Sequence, residues 1–87
     1  MQKSTHTNDY RKLRAALVEV RTAAGLTQRE LATILRVQPS WVAKVETGER
    51  RIDVLEFCWY VRACNGDPAA TIAEFSATKG AKGNRAS

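Results

Sequence analysis

Apolar residues return at helical spacing along most of the chain. Between Asp9 and Ala24, Leu13, Leu17 and Val20 recur every three or four residues while Arg11, Lys12, Arg14 and Glu19 take the other sides, which is the pattern of an amphipathic helix. Asn8 or Asp9 can cap its start, and Gly25 offers the left-handed position that commonly ends a helix. In the stretch Leu26-Thr27-Gln28-Arg29-Glu30, Thr27 and Glu30 stand three apart, the spacing of a capping box in which hydroxyl and carboxylate each accept from an otherwise orphaned backbone N–H. A second helix is therefore predicted from about Gln28 to Leu35, burying Leu31, Ala32, Ile34 and Leu35. After Arg36 and Val37 the chain reaches Gln38-Pro39, and a proline at a first helical position loses only an N–H that would be unpaired anyway.

A third helix follows over about Pro39 to Thr47, with Val42 and Val45 inward and Gly48 ending it. Gly48-Glu49-Arg50-Arg51-Ile52 reads as a loop. Asp53 then caps a fourth helix from about Val54 to Cys64, whose inward face is expected to carry Val54, Phe57, Cys58, Val61 and Cys64. Asn65-Gly66 stops it, and Asp67-Pro68 restarts a short fifth helix with Ile72 and Phe75 facing inward. No strand alternation and no internal repeat interrupts this order, so the fold class is all-α with five short helices. The folded unit is read as residues 9–75, between an N-terminal arm at 1–8 and a tail at 76–87. That tail, SATKGAKGNRAS, has no apolar anchor and is expected to be disordered.

Composition narrows the function. A chain of 87 residues, 44% hydrophobic and 26% charged, makes one small domain. Such a domain buries only about two-thirds of its unfolded surface, which leaves little room for a substrate-sized cavity beside a core. No Ser/His/Asp or Cys/His set and no Gly-rich phosphate loop is visible, so an enzyme is disfavoured. Cys58 and Cys64 lie six apart, which is neither a metal-ligand spacing nor, within one helix, a distance that a disulfide can span; both read as small buried hydrophobes. His6 stands alone, and no metal or cofactor is expected. No apolar run nears the roughly 18 residues of a membrane span, and the N-terminus lacks the apolar stretch of a secretory signal, which points to the cytoplasm.

The formal net charge is +5 and suggests a polyanionic partner. Of the 14 basic residues, however, Lys3, Lys79, Lys82 and Arg85 lie outside Asp9–Phe75, so ten remain there against all nine acidic ones. The ends can supply non-specific, salt-sensitive attraction to nucleic acid, but specific binding must come from placed residues.

Helices two and three, short and closely joined, form a helix-turn-helix candidate. The segment Gln28 to Thr47 resembles the phage Cro/repressor-like (XRE) family, with Leu26-Thr27-Gln28 entering helix two, Glu30-Leu31-Ala32 within it, Val37 after the turn, and Val42, Val45, Glu46 and Gly48 in and after helix three. The likeness extends to Arg21 and to Gly48–Phe57, and covers roughly residues 10 to 75. Arg36 departs from it, since the family usually has glycine in the turn; either a left-handed backbone there pays a modest strain, which Arg36 can offset with a phosphate contact, or the turn relaxes. Pro39 departs as well, at a position often held by a polar base reader.

The resemblance implies a five-helix, lambda-repressor-like domain that binds double-stranded DNA, with helix three in the major groove. Gln38, Ser40 and Lys44 would then read bases: glutamine pairs with adenine, lysine donates to guanine, and serine serves either. Gln28, at the start of helix two, would meet a phosphate beside exposed backbone N–H groups, and Thr47, Arg50 and Arg51 would hold the backbone after helix three. Trp41 is either a further phosphate contact or a partial core residue. Arg21 and Glu46 would form a partly buried ion pair tying helix one to the end of helix three.

Leu55 and Trp59, one turn apart, fall away from the expected core face of helix four, at positions usually polar in the family. They are read as a homodimer interface, the alternative being that the fifth helix or the tail covers them. The function expected is a sequence-specific transcriptional regulator, a repressor on a palindromic operator. An antitoxin-type regulator that also binds a toxin, and a helical protein-interaction module that does not bind DNA, are the alternatives.

Overall fold

A computed structural model describes residues 7–76, and in it five α-helices follow one another: α1 (Asn8–Ala23), α2 (Gln28–Leu35), α3 (Pro39–Thr47), α4 (Val54–Ala63) and α5 (Pro68–Ser76). The all-α, five-helix, lambda-repressor-like expectation therefore holds among the described residues. The tail from 77 and the first six residues of the arm lie outside them. Among the described residues no helix is long and apolar enough to cross a membrane.

Local chemistry sets the helix ends. Thr7, rather than Asn8 or Asp9, caps α1, its hydroxyl accepting from Tyr10 N at 3.2 Å. The predicted capping box opens α2: Thr27 Oγ1 accepts from Glu30 N at 3.0 Å, and Glu30 Oε1 accepts from Thr27 N at 2.9 Å. Asp53 and Glu56 form a second box at the start of α4, so the cap expected from Asp53 alone is completed by Glu56. Arg36 ends α2 in the left-handed region, at φ 61° and ψ 43°. Gly48 ends α3 at φ 90°, where a Cβ would also come within 3.1 Å of Arg14 Nε, so two independent constraints favour glycine there.

The core gathers one face of each of the first four helices: Leu17 from α1, Leu31 and Ala32 from α2, Val42 and Val45 from α3, and Phe57, Tyr60 and Val61 from α4, closed by Cys64. Helix α2 packs on α3 and α4, and α1 lies against α3, α4 and α5. Five expected core residues need correction. Ile34 is 52% exposed, because the buried side of α2 is defined by Leu31, Ala32 and Leu35, and position 34 turns past its edge. Val54 is 76% exposed, Ile72 is exposed and Cys58 is half-buried; all three line an open apolar cleft of about 380 Å³ among α1, α4 and α5. Phe75 is half-buried. Tyr60, beyond the expected inward face of α4, is fully buried as well. Both cysteines are free, and burial pushes the Cys64 thiol above its ordinary range.

Candidate nucleic-acid interface

The turn between α2 and α3 is held by backbone bonds: Val37 N donates to Ala32 O at 3.0 Å across left-handed Arg36, and Trp41 N donates to Gln38 O at 2.9 Å. This sets α3 directly after α2 with Gln38 as its N-cap residue. The Gln38 side chain makes no capping bond and is exposed. Ser40 and Lys44, one turn apart on α3, are exposed too, while Val42 and Val45 on the opposite side are fully buried. The core thus pins one face of α3 and presents the three predicted base readers on the other. Pro39 is half-buried and Arg36 exposed.

The residues flanking α3 have defined surroundings. Thr47 Oγ1 donates to Lys44 O at 3.2 Å and accepts from Glu49 N. Trp41 packs partly against the core, and the Arg50 guanidinium lies 5.2 Å from its ring centroid. Arg50 donates through Nη1 and Nη2 to the two oxygens of Glu56, at 3.0 and 2.9 Å, and through Nη1 to Arg51 O. The hydrogen bonds with Glu56 raise the Arg50 pKa and lower that of Glu56. Arg51 stacks over Tyr10 at 4.5 Å, and the Tyr10 hydroxyl accepts from Ile52 N, so the loop before α4 is tied back to α1.

Beneath this surface lies a buried polar cluster. Arg21 Nε and Nη2 donate to Glu46 Oε2 and Oε1 at 2.7 and 3.0 Å, and Arg21 Nη1 donates to Leu26 O at 2.8 Å. Gln28 Nε2 donates to Glu46 Oε1 at 2.8 Å, and the Tyr60 hydroxyl donates to Glu46 Oε2. Burial pushes the Glu46 carboxyl up, but hydrogen bonds from Arg21, Tyr60 and Gln28 outweigh it and leave the group below the usual range. Burial, and then the Glu46 contact, raise the Tyr60 phenol far above its ordinary value, so it remains a donor.

Of the residues singled out in the sequence, Arg21, Gln28 and Glu46 come together in this one cluster, and Trp41 meets Arg50. Leu55 and Trp59, 63% and 54% exposed on the outer side of α4, take no part in the Glu46 cluster, and Trp59 lines a groove with Trp41. Two contributors were missed. Tyr60 stands at core spacing with Phe57, Val61 and Cys64, so its burial was available from periodicity, although its partner was not. Glu56 stands three after Asp53, the capping-box spacing, which was a signal for its placement but not for its pairing with Arg50.

A short turn between two helices, an outer helix face of polar and basic side chains and a pinned inner face define a helix-turn-helix DNA-binding protein. Residues 12–74 match the family described as a helix-turn-helix domain. Among solved structures, an XRE-family like protein from Pseudomonas syringae pv. tomato str. DC3000 is 42% identical, with a TM-score of 0.80 over 85% of this chain and 90% of the other. The chain belongs to the XRE-type helix-turn-helix family and is a DNA-binding regulator. No curated protein matches it.

Proposed function

We propose that the protein is a repressor that binds a palindromic operator as a homodimer in the cytoplasm and acts by occluding a promoter. The observation that carries base readout is the exposed row Gln38, Ser40 and Lys44, whose side chains have no hydrogen bond or ion pair among the described residues. Unpaired donors on a rigid helix need no rearrangement before they meet base edges. Phosphate contacts come from Gln28, Trp41, Thr47, Arg50 and Arg51, with Arg36 beside them. Of these, Arg50 already shares its charge with Glu56.

Dimerisation is supported by what stays uncovered. Helix α5 leaves Leu55 and Trp59 exposed, and residues 77–87 carry no apolar side chain larger than alanine. Ile34 and Leu35, in the groove beside Trp59, extend this apolar surface. A second copy of the chain, bringing the same surface, covers it by two-fold symmetry. Two recognition helices about one DNA turn apart then read two half-sites, and the second contact becomes intramolecular.

Selection of bound sequences from random duplex DNA tests this reading, with the parent run beside a Gln38→Ala, Lys44→Ala variant. A symmetric enriched motif for the parent, blurred at defined positions by the variant, is the expected result. Loss of affinity with an unchanged motif removes these residues as base readers, and no enriched motif for the parent removes sequence-specific repression.

A further inference from the structure

We propose that Tyr60 is a positioning residue for DNA binding: through the Glu46 carboxylate it fixes the Gln28 carboxamide that meets the phosphate backbone. This rests on the reading of Gln28 as a phosphate contact. Tyr60 itself lies inside the core and touches no DNA.

The geometry is a buried carboxylate with every acceptor position used. A carboxylate offers about four lone-pair sites. Those of Glu46 are taken by Arg21 Nε and the Tyr60 hydroxyl on Oε2, and by Arg21 Nη2 and Gln28 Nε2 on Oε1. The donors arrive from α1, from the start of α2 and from α4, while Glu46 itself belongs to α3. Arg21 grips both oxygens from one side and Tyr60 holds one from another helix, so the carboxylate cannot rotate within its plane.

The Tyr60 hydroxyl has one proton and two acceptors in reach, Glu46 Oε2 and Leu17 O at 3.1 Å. The ionised, closer acceptor takes it, because a bond to a charged group is the stronger. The consequence falls on Gln28. Only its amide nitrogen can face a carboxylate oxygen, so the flip of the carboxamide is settled by chemistry. One N–H is committed to Glu46, and the other, with Oε1, has no partner among the described residues. A half-exposed glutamine with its plane fixed presents that second N–H in a constant direction at the helix start, where a phosphate is favoured. Without the Tyr60 hydroxyl the carboxylate can swing about Arg21, and ordering of the Gln28 side chain is postponed to the moment of DNA binding.

The test is a double-mutant cycle of Tyr60→Phe and Gln28→Ala, read as affinity for the duplex recovered by selection, with protein concentrations corrected for the active fraction. Tyr60→Phe is expected to weaken binding about three- to tenfold, the cost of ordering one flexible side chain, and Gln28→Ala at least as much, because it removes the contact itself. The double variant is expected to bind no more weakly than Gln28→Ala. Val61→Ala, a core truncation outside the cluster, controls for lost stability and is expected to leave the affinity of active protein unchanged. Additive losses, or an equal loss from Val61→Ala, overturn the positioning role while leaving Gln28 as a phosphate contact. No loss from Gln28→Ala overturns that contact, and the proposal with it.

Discussion

Arg50 and Glu56 face each other across the start of α4, both terminal nitrogens of the guanidinium bonded to both oxygens of the carboxylate, while Glu56 also closes the Asp53 capping box. A cation predicted to hold DNA phosphate therefore carries its own counter-charge. Glu56→Gln keeps a side chain that can complete the box and removes the competing anion. The variant is expected to bind DNA more tightly and to steepen the plot of log affinity against log salt by about one unit, the mark of one further phosphate neutralised. Fluorescence anisotropy over a salt series measures this, and an unchanged slope shows that Arg50 makes no phosphate contact even when released.

Arg21 and Glu46 pair with side chains that are only 12% and 5% exposed. Removing one partner strands a desolvated charge, at a cost of about 3 kcal/mol. Arg21→Met is thus expected to lose more stability than Arg21→Met with Glu46→Gln, in which the buried charge is gone as well. Chemical denaturation of the parent, the single variant and the double variant compares them; a double variant less stable than Arg21→Met removes the stranded-charge explanation.

The lowered Glu46 pKa has a defined sign in acid. The unfolded carboxyl titrates near about 4.3. Between that value and the folded one the unfolded chain holds a proton that the folded chain does not, so stability rises with pH across the window. The contribution is complete above the unfolded pKa and is lost as pH falls through the folded one. Denaturation midpoints followed from neutral pH into acid are expected to fall steeply for the parent and more gently for Glu46→Gln, with the gap between the two closing at the acid end.

Arg36 holds a left-handed backbone that costs a side chain roughly 1 kcal/mol relative to glycine. Arg36→Gly is expected to melt higher while binding DNA less tightly, with a salt slope shallower by about one unit. Higher stability with unchanged salt dependence shows that the arginine is not at a phosphate.

Trp59 is more than half exposed, so a charge there disturbs the core little. Trp59→Glu is expected to remain folded and to sediment as a monomer, with weakened operator binding. A folded variant that stays dimeric places the interface elsewhere.

Helix boundaries and the turn were legible in the sequence because their causes are local. The Thr27/Glu30 box, Pro39 at a first helical position, Gly25 and Gly48 at helix ends and Asp53 as a cap all act within a few residues, and each stands where it was expected. The outward placement of Gln38, Ser40 and Lys44 follows from the same periodicity that buries Val42 and Val45. Burial at the rim was not legible in this way, because it depends on whether a neighbour arrives. Val54, Cys58 and Ile72 have helical spacing suited to a core, yet they line a cleft that α1, α4 and α5 leave open. The same holds for the charges. Composition could count Arg50 and Glu56 but could not pair them, and no local rule brings Tyr60 from α4 to a carboxylate on α3 that also holds Arg21 and Gln28. The sequence by itself determined five helices, the caps of α2 and α4 and the face of α3 turned to solvent, through bonds that span three or four residues. Only the tertiary structure decided which charges are neutralised and which side chain orients Gln28, because those contacts join residues 6 to 25 positions apart whose approach depends on how whole helices pack.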